Sequence, residues 1–409
     1  MPTHHPLTSK KTLRHRRPLW ATSPRISVVS RTTGKDDDYD AIIVGAGISG
    51  ALMAQALART DMKVIVIDRR EPVRGSSLAS TAMIQHEIDV PLHKLARMTG
   101  PEKARRVWQR SAKAVDGLAA LVEDIGIACD FQRKRTLYLA GDAYGARALS
   151  TEADARADAG IASTLVKGSD LKERFGIGRT AAIDSAISAS CDPAQMTAGI
   201  LNHARKAGVD ILSDTEIADF RAIGDEVVVS TSHGRLLTAR HLVFCTGYEF
   251  LKSMENKSQS VISTWALASK PNLKRPGWLD DYLVWEASDP YLYFRTTPDG
   301  RVVVGGEDEE TPHAFADEAK ASRKARRLAK KLADLTGIDI GKPDFVWSAP
   351  FGVTPTGLPM IGRVPGHRNV YAAMGYGGNG ITYSQIAASI VSGEISGHRD
   401  PDAELFPFV

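Results

Sequence analysis

The stretch YDAIIVGAGISGALMAQALART, residues 39–60, constrains this chain more than any other. A short β-branched run leads into Gly45, Gly47 and Gly50, spaced G-x-G-x-x-G, and an apolar helical pattern follows. KVIVIDRR then supplies a second strand, which makes the segment a βαβ unit. Gly45 permits the tight turn, Gly47 lets a pyrophosphate approach the backbone, and Gly50 lets helix and strand pack closely. The helix N terminus offers free N–H groups and a positive dipole end to phosphates. Ala46, Ile48 and Ser49 between the glycines, with Asp68 and Arg69 ending the second strand, complete the expected dinucleotide contact. Asp68 is placed to accept from ribose hydroxyls. Residues 41–58 are uncharged and reach the lower edge of a membrane span. The central glycines and the preceding DDDYD favour strand, turn, helix instead.

The 409 residues amount to two or three domains, and 43% hydrophobic residues are ample for a large core. A net charge of only +4 does not mark the whole chain as a polyanion binder. Cys129, Cys191 and Cys245 lie far apart with no CxxC, which fits a reducing compartment and a cytoplasmic location. Residues 1–37 begin with a basic, acid-free run and are expected to be a disordered extension; a transit peptide has the same composition.

Further along, helical spacing occurs over 101–125 and over PAQMTAGILNHARKAG, and RKRTLYLA reads as a strand. YLYFRTTPDGRVVVGG is a hairpin around PDG. Residues 316–335 form a helix with one apolar face and one basic face. Such a charge run is ordinarily solvated, so no nucleic-acid partner is expected. No HExxH or GxSxG occurs, and no metal site is expected.

A second glycine cluster, MGYGGNGITYS at 374–384, contains Gly375, Gly377, Gly378 and Gly380. It reads as a tight loop with several positive-φ positions, opening a helix over ITYSQIAASIVSGEI. Two glycine loops, each opening a helix, thus stand near opposite ends of the chain.

These blocks resemble the flavin amine and amino-acid oxidoreductases, the family of D-amino-acid oxidase, glycine oxidase and sarcosine oxidase. The βαβ unit is similar to that family's opening. RGSSLASTAMI (74–84), with Ser76, Ser77, Ser80 and Thr81, is similar to its flavin-lining segment. HLVFCTG (241–247), with Thr246 and Gly247, is similar to its later cofactor strand, and Ile217 joins the expected contacts. TGLPMIGRVPGHRNVYAAMGYGGNGITYS is similar to its C-terminal signature. The resemblance implies FAD, with the second glycine loop beside the flavin ring and the following helix facing its C2 carbonyl. Asn379, Ile381 and Thr382 belong to that contact, and Asn379 or Thr382 could donate to the ring.

The sequence departs from the family where an arginine would clamp the substrate α-carboxylate: that position reads Phe351. Arg295 in YLYFRTT either takes over the carboxylate or is a strand-edge arginine. Tyr293, with Tyr291 and Trp285, forms either an aromatic substrate wall or core. The acids of GGEDEE, Glu307 to Glu310, either attract a cationic amine or are a solvated strand end. His86 is the lone histidine of the flavin region and reads as structural. The positions where relatives attach FAD covalently read Ala79 and Ala349, so non-covalent FAD is expected.

The resemblance implies an α/β chain, with a glutathione-reductase-like (Rossmann-type) FAD domain and a mixed-sheet α+β substrate domain. The FAD domain is expected from 38–100, 186–250 and 346–409, and the substrate domain from 101–185 and 251–345. The implied activity is oxidation of a small amine or amino acid by hydride transfer to flavin N5, giving an imine that hydrolyses. Oxygen or another acceptor would take the electrons, and a homo- or hetero-oligomer is compatible. The alternatives are a hydroxy-acid or polyol-phosphate dehydrogenase on the same fold, an RNA-modifying flavoprotein, or a non-catalytic flavoprotein subunit.

Overall fold

The computed structural model describes residues 7–8, 10–254 and 259–408. The first third contains β1 (Asp38–Val44), α1 (Ile48–Leu57), β2 (Val64–Ile67), β3 (Met83–Gln85), α2 (Leu92–Thr99), α3 (Pro101–Asp124) and β4 (Gln132–Ala140). Next come α4 (Ala146–Asp158), β5 (Ser163–Lys167), α5 (Gly168–Phe175), β6 (Ala181–Ser190), α6 (Pro193–Lys206), β7 (Asp210–Leu212), β8 (Ile217–Ile223), β9 (Glu226–Thr231) and β10 (Leu236–Phe244). The rest comprises β11 (Ser260–Ala268), β12 (Tyr282–Ala287), β13 (Leu292–Thr296), β14 (Val302–Glu309), α7 (Glu318–Thr336), β15 (Phe345–Val353), β16 (Met360–Arg363), β17 (Val370–Met374) and α8 (Gly380–Ile395).

One sheet runs β16-β17-β10-β1-β2-β7, with β9 and β8 added beyond β10. Its centre is parallel and buried on both faces. Alternate residues serve two cores: Ala41, Ile43, Val64 and Val66 meet the helices, while Ile42, Ile65 and Ile67 pack on the other face. On the helical side α1 packs against α6 and α8. The second sheet runs β15-β11-β14-β13-β12-β4-β6-β3, with β5 on β6. Helix α7 seals one face of it with Ala321, Leu328, Leu332 and Leu335. Sheet membership changes after Val353, because β15 pairs with β11 along nine residues; residues 346–353 therefore stand in the second sheet, not with the dinucleotide sheet.

The expectation of a disordered 1–37 is corrected for its described part. His15 and Ser348 exchange backbone hydrogen bonds, and Arg31 does the same with Ile211 and Ser213. Leu13, Leu19 and Trp20 are buried. The segment extends two sheet edges through main-chain bonds, which need no side-chain periodicity. Residues 1–6 and 9 lie outside the described residues. Among the described residues no helix is long and apolar enough to cross a membrane.

Candidate active site

The first glycine turn is packed as its spacing demands. Gly45 has φ +113°, and a Cβ there would come within 2.3 Å of the Cys245 carbonyl oxygen. A Cβ on Gly50 would stand 1.7 Å from the Gly45 carbonyl oxygen, so only glycine lets α1 begin this close to β1. Ile48 N–H donates to Ser77 Oγ at 2.9 Å, joining the turn to the Ser76–Ser77 segment. Asp68 accepts from Ala46 N–H at 2.6 Å and Arg70 N–H at 2.8 Å, which stiffens the turn; burial pushes its carboxyl above the usual range. Arg70 pairs bidentately with Glu249 at 2.8 Å, and Arg69 lies 2.9 Å from Glu216.

Gly45, Gly47, Ile48, Ser49, Asp68, Arg69, Ser76, Ser77, Ser80, Thr81, Thr246 and Gly247 all line one cavity of about 440 Å³. Its far wall is the second glycine cluster, through Gly377, Gly378, Asn379, Gly380 and Ile381. Gly375 (φ +73°) and Gly377 (φ +55°) turn the chain into α8. Gly375 itself stands behind the wall, against Thr354 and Met360. Two helix N termini, those of α1 and α8, therefore open on the same cavity, each with first-turn N–H groups that no helical carbonyl can satisfy. Ala79 and Ala349 line it too and offer no nucleophile. Cys245 lines it as well, and burial pushes its thiol up to about 12. These donors and glycine approaches fit an extended dinucleotide.

Three expected site residues are corrected. The Thr382 hydroxyl donates to the Gln85 carbonyl at 3.0 Å, so its proton is committed to the protein. Ile217 opens the β8–β9 hairpin and packs in the core of the dinucleotide sheet, away from the cavity. Arg295 is buried and spends its guanidinium on three main-chain carbonyls: Thr81 at 2.7 Å, Cys191 at 2.8 Å and Thr296 at 3.0 Å. Desolvation lowers its pKa to about 10, and it holds no substrate carboxylate. His86 is likewise structural, its Nδ1 2.7 Å from the Ile187 carbonyl oxygen.

Phe351 and Tyr293 do line the cavity. Tyr138, Trp285, Tyr293 and Gly305 are register partners across four neighbouring strands, so their faces form one row. Gly305 makes room for the row, since a Cβ there would meet the Tyr293 hydroxyl at 2.3 Å. Tyr291 and Tyr293 rings stand 5.7 Å apart, and Tyr248 and Phe351 6.5 Å apart.

Two acids stand at this end: Asp89, which the sequence did not single out, and Asp308, one of the GGEDEE acids. Asp89 accepts Gly378 N–H at 2.9 Å and has no cationic partner among the described residues. Asp308 lines the cavity with both carboxylate oxygens shielded from solvent and without a hydrogen-bond partner among the described residues. Burial pushes its pKa up to about 6. A bulge puts it there. Between Ser263 and Trp265 the pairing of β11 with β14 slips by one residue, and Glu307 takes φ +59°. Glu307 consequently faces α7, where Lys324, Arg327 and Lys331 pair with it, and Asp308 takes the cavity face next to Gly305. Neither acid belongs to a solvated strand end.

The family of FAD dependent oxidoreductases designated DAO matches residues 40–393. The chain belongs to this family. Glycine oxidase of Geobacillus kaustophilus is 24% identical over 389 residues, covering 90% of this chain and 96% of that protein. Gamma-glutamylputrescine oxidoreductase of Escherichia coli is 22% identical over 392 residues, covering 90% and 85%. The fold is that of the G. kaustophilus glycine oxidase crystal structure, with a TM-score of 0.74 at 19% identity, covering 91% of this chain and 99% of that one. L-proline dehydrogenase from P. horikoshii superposes equally, with a TM-score of 0.74 at 18% identity and coverage of 91% and 97%. This chain is thus an FAD-dependent oxidoreductase of the DAO family, and Phe351, where an arginine was expected by resemblance, lines the cavity.

Proposed function

We propose that this flavoenzyme oxidises a small amine at the C–H bond next to nitrogen, giving an imine that hydrolyses. The observation that carries this reading is the character of the chamber beyond the second glycine loop. Aromatic rings line it, its carboxylates attract nitrogen, and among the described residues the basic side chains lining the cavity, Arg69 and Arg70, stand at the opposite end. Among the described residues, a hydroxy acid or polyol phosphate would find no cation there to meet its anionic group. The named activity of the E. coli relative, on a putrescine derivative, supports the same reading.

Bound FAD supplies the acceptor for the hydride. The chain supplies position and field. The N–H groups opening α1, with Ser77, would hold the pyrophosphate, and Asp68 the ribose side. The positive end of α8 would favour electron density on the flavin ring beside Gly380 and Ile381. With Ala79 and Ala349 in the cavity wall, FAD would be held non-covalently. Tyr248, Tyr293 and Phe351 would confine the substrate so that few orientations remain open to it. Anaerobic reduction of the bound flavin by a panel of amines, amino acids and hydroxy acids tests the reading. Loss of the yellow colour with amines supports it, and loss with hydroxy acids alone overturns it.

A further inference from the structure

We propose that the chamber selects a small organic cation lacking a carboxylate, with its ammonium group held between Asp308 and the aromatic row Tyr138–Trp285–Tyr293. This inference rests on the amine-oxidation reading and names its substrate class. Three independent observations converge on it.

First, the acid is delivered to the cavity at a cost. An aspartate in the place of Asp308 by simple strand alternation would face α7, because Val302 and Val304 do so. The bulge at Glu307, with its positive φ in a non-glycine residue, reverses that parity. Both Asp308 oxygens are then buried without a hydrogen-bond partner among the described residues. A carboxylate left this way is destabilising unless a ligand pairs with it. Thr264 and Tyr291 stand near enough to favour the ionised form, but neither is aligned to bond it.

Second, aromatic rings line the same space. Tyr138 and Trp285 stack at 4.0 Å and Tyr293 continues the row. Aromatic rings around a desolvated ammonium attract it through the ring quadrupole, and an alkylated ammonium, which loses less hydration on entry, is well suited to such a site.

Third, among the described residues no basic side chain lines this end of the cavity to meet a carboxylate. The family position for the clamping arginine holds Phe351, and Arg295 is consumed by main-chain carbonyls. A zwitterion would place its carboxylate in a chamber already holding Asp89 and Asp308, and like charges there repel.

Isothermal titration of the FAD-loaded protein with tetramethylammonium and with glycine betaine tests this directly. The two probes share a quaternary ammonium and differ by a carboxylate, and with tetramethylammonium the readout is binding alone. Tetramethylammonium is expected to bind at least about tenfold more tightly than betaine. Asp308→Asn is expected to weaken tetramethylammonium about tenfold or more and to shrink the difference between the probes. Betaine binding as tightly as tetramethylammonium, no binding of either, or an Asp308→Asn variant of unchanged affinity would overturn the inference. The comparison in the native protein needs no variant, so it decides even if Asp308→Asn releases FAD. Amines that bleach the flavin while betaine binds best would remove cation selection and leave amine oxidation standing. Asp308-dependent cation binding without bleaching by any amine would do the reverse.

Discussion

Lys324 Nζ donates to the Glu307 carbonyl oxygen at 2.7 Å, from a helix on the face of the sheet opposite the cavity. The bond fixes the bulged residue of β14, and the bulge sets which way Asp308 points. Lys324 is therefore a positioning residue for the chamber although it never touches it. Lys324→Met should leave FAD content intact and raise KM for an amine substrate about tenfold, roughly 1.4 kcal/mol, while kcat changes little. Steady-state kinetics with a flavin spectrum on the same sample check it. A variant that loses kcat and KM effects together with its fold would point to packing alone.

Asp308 gives the chamber a pH dependence. Its pKa is raised to about 6 by burial, with Asp89 adding to the shift and Lys324 opposing it. Below pH about 6 the acid is neutral, so the affinity for a permanently charged ammonium should fall as pH drops through that value. The acid limb should vanish in Asp308→Asn. Stability runs the other way. A carboxyl whose folded pKa lies above its unfolded value of 3.8 destabilises the fold as pH rises from about 4 to about 6. Asp308→Asn should accordingly melt a few degrees higher than the native protein at pH 7, by scanning calorimetry, and show no gain at pH 4.

The second glycine loop should tolerate no side chain at Gly377. Its φ is +55°, and a Cβ would stand 2.4 Å from Asp89 Oδ2, the atom that accepts Gly378 N–H. Gly377→Ala must strain the backbone and displace the Asp89 carboxylate from Gly378 N–H together, at about 1–3 kcal/mol for the backbone alone. FAD titration of the apoprotein should show affinity weakened at least about tenfold.

Arg295 should prove to be a structural arginine. Arg295→Met leaves the buried Thr81, Cys191 and Thr296 carbonyls without their donor, and loss of a charged donor of this kind costs on the order of 3 kcal/mol. The melting temperature should fall. The ratio of KM for a carboxylated to an uncarboxylated amine should stay unchanged, which a carboxylate clamp would not allow.

The dinucleotide half of the site was legible because local backbone rules write it. Gly50 is required by the Gly45 carbonyl five residues away and Gly45 by its own positive φ, so the spacing marks the turn, although the Cys245 carbonyl that also excludes a side chain at Gly45 is remote in sequence. The second loop was legible for the same reason through Gly377. Arg295 was not, because its partners Thr81 and Cys191 lie 214 and 104 residues away in sequence. Asp308 stood among the GGEDEE acids read as candidates for a cationic amine, but which of them faces the cavity was hidden by the bulge, which breaks the alternation that strand reading depends on. The N-terminal segment looked structureless because its fixings are backbone bonds and single anchors, such as Trp20 Nε1 to the Ser80 carbonyl at 2.6 Å. The resemblance put the expected clamp position at Phe351, and what stands around that residue, Tyr248 among others, is set by the three-dimensional fold.

Amine oxidation is tested most directly by anaerobic titration of the FAD-loaded protein with simple alkylamines, their α-carboxylated counterparts and hydroxy acids, following the visible flavin absorbance. Full bleaching by an uncarboxylated amine, with slower or no bleaching by its carboxylated counterpart, is the expected result. Bleaching by hydroxy acids with none by any amine would contradict it.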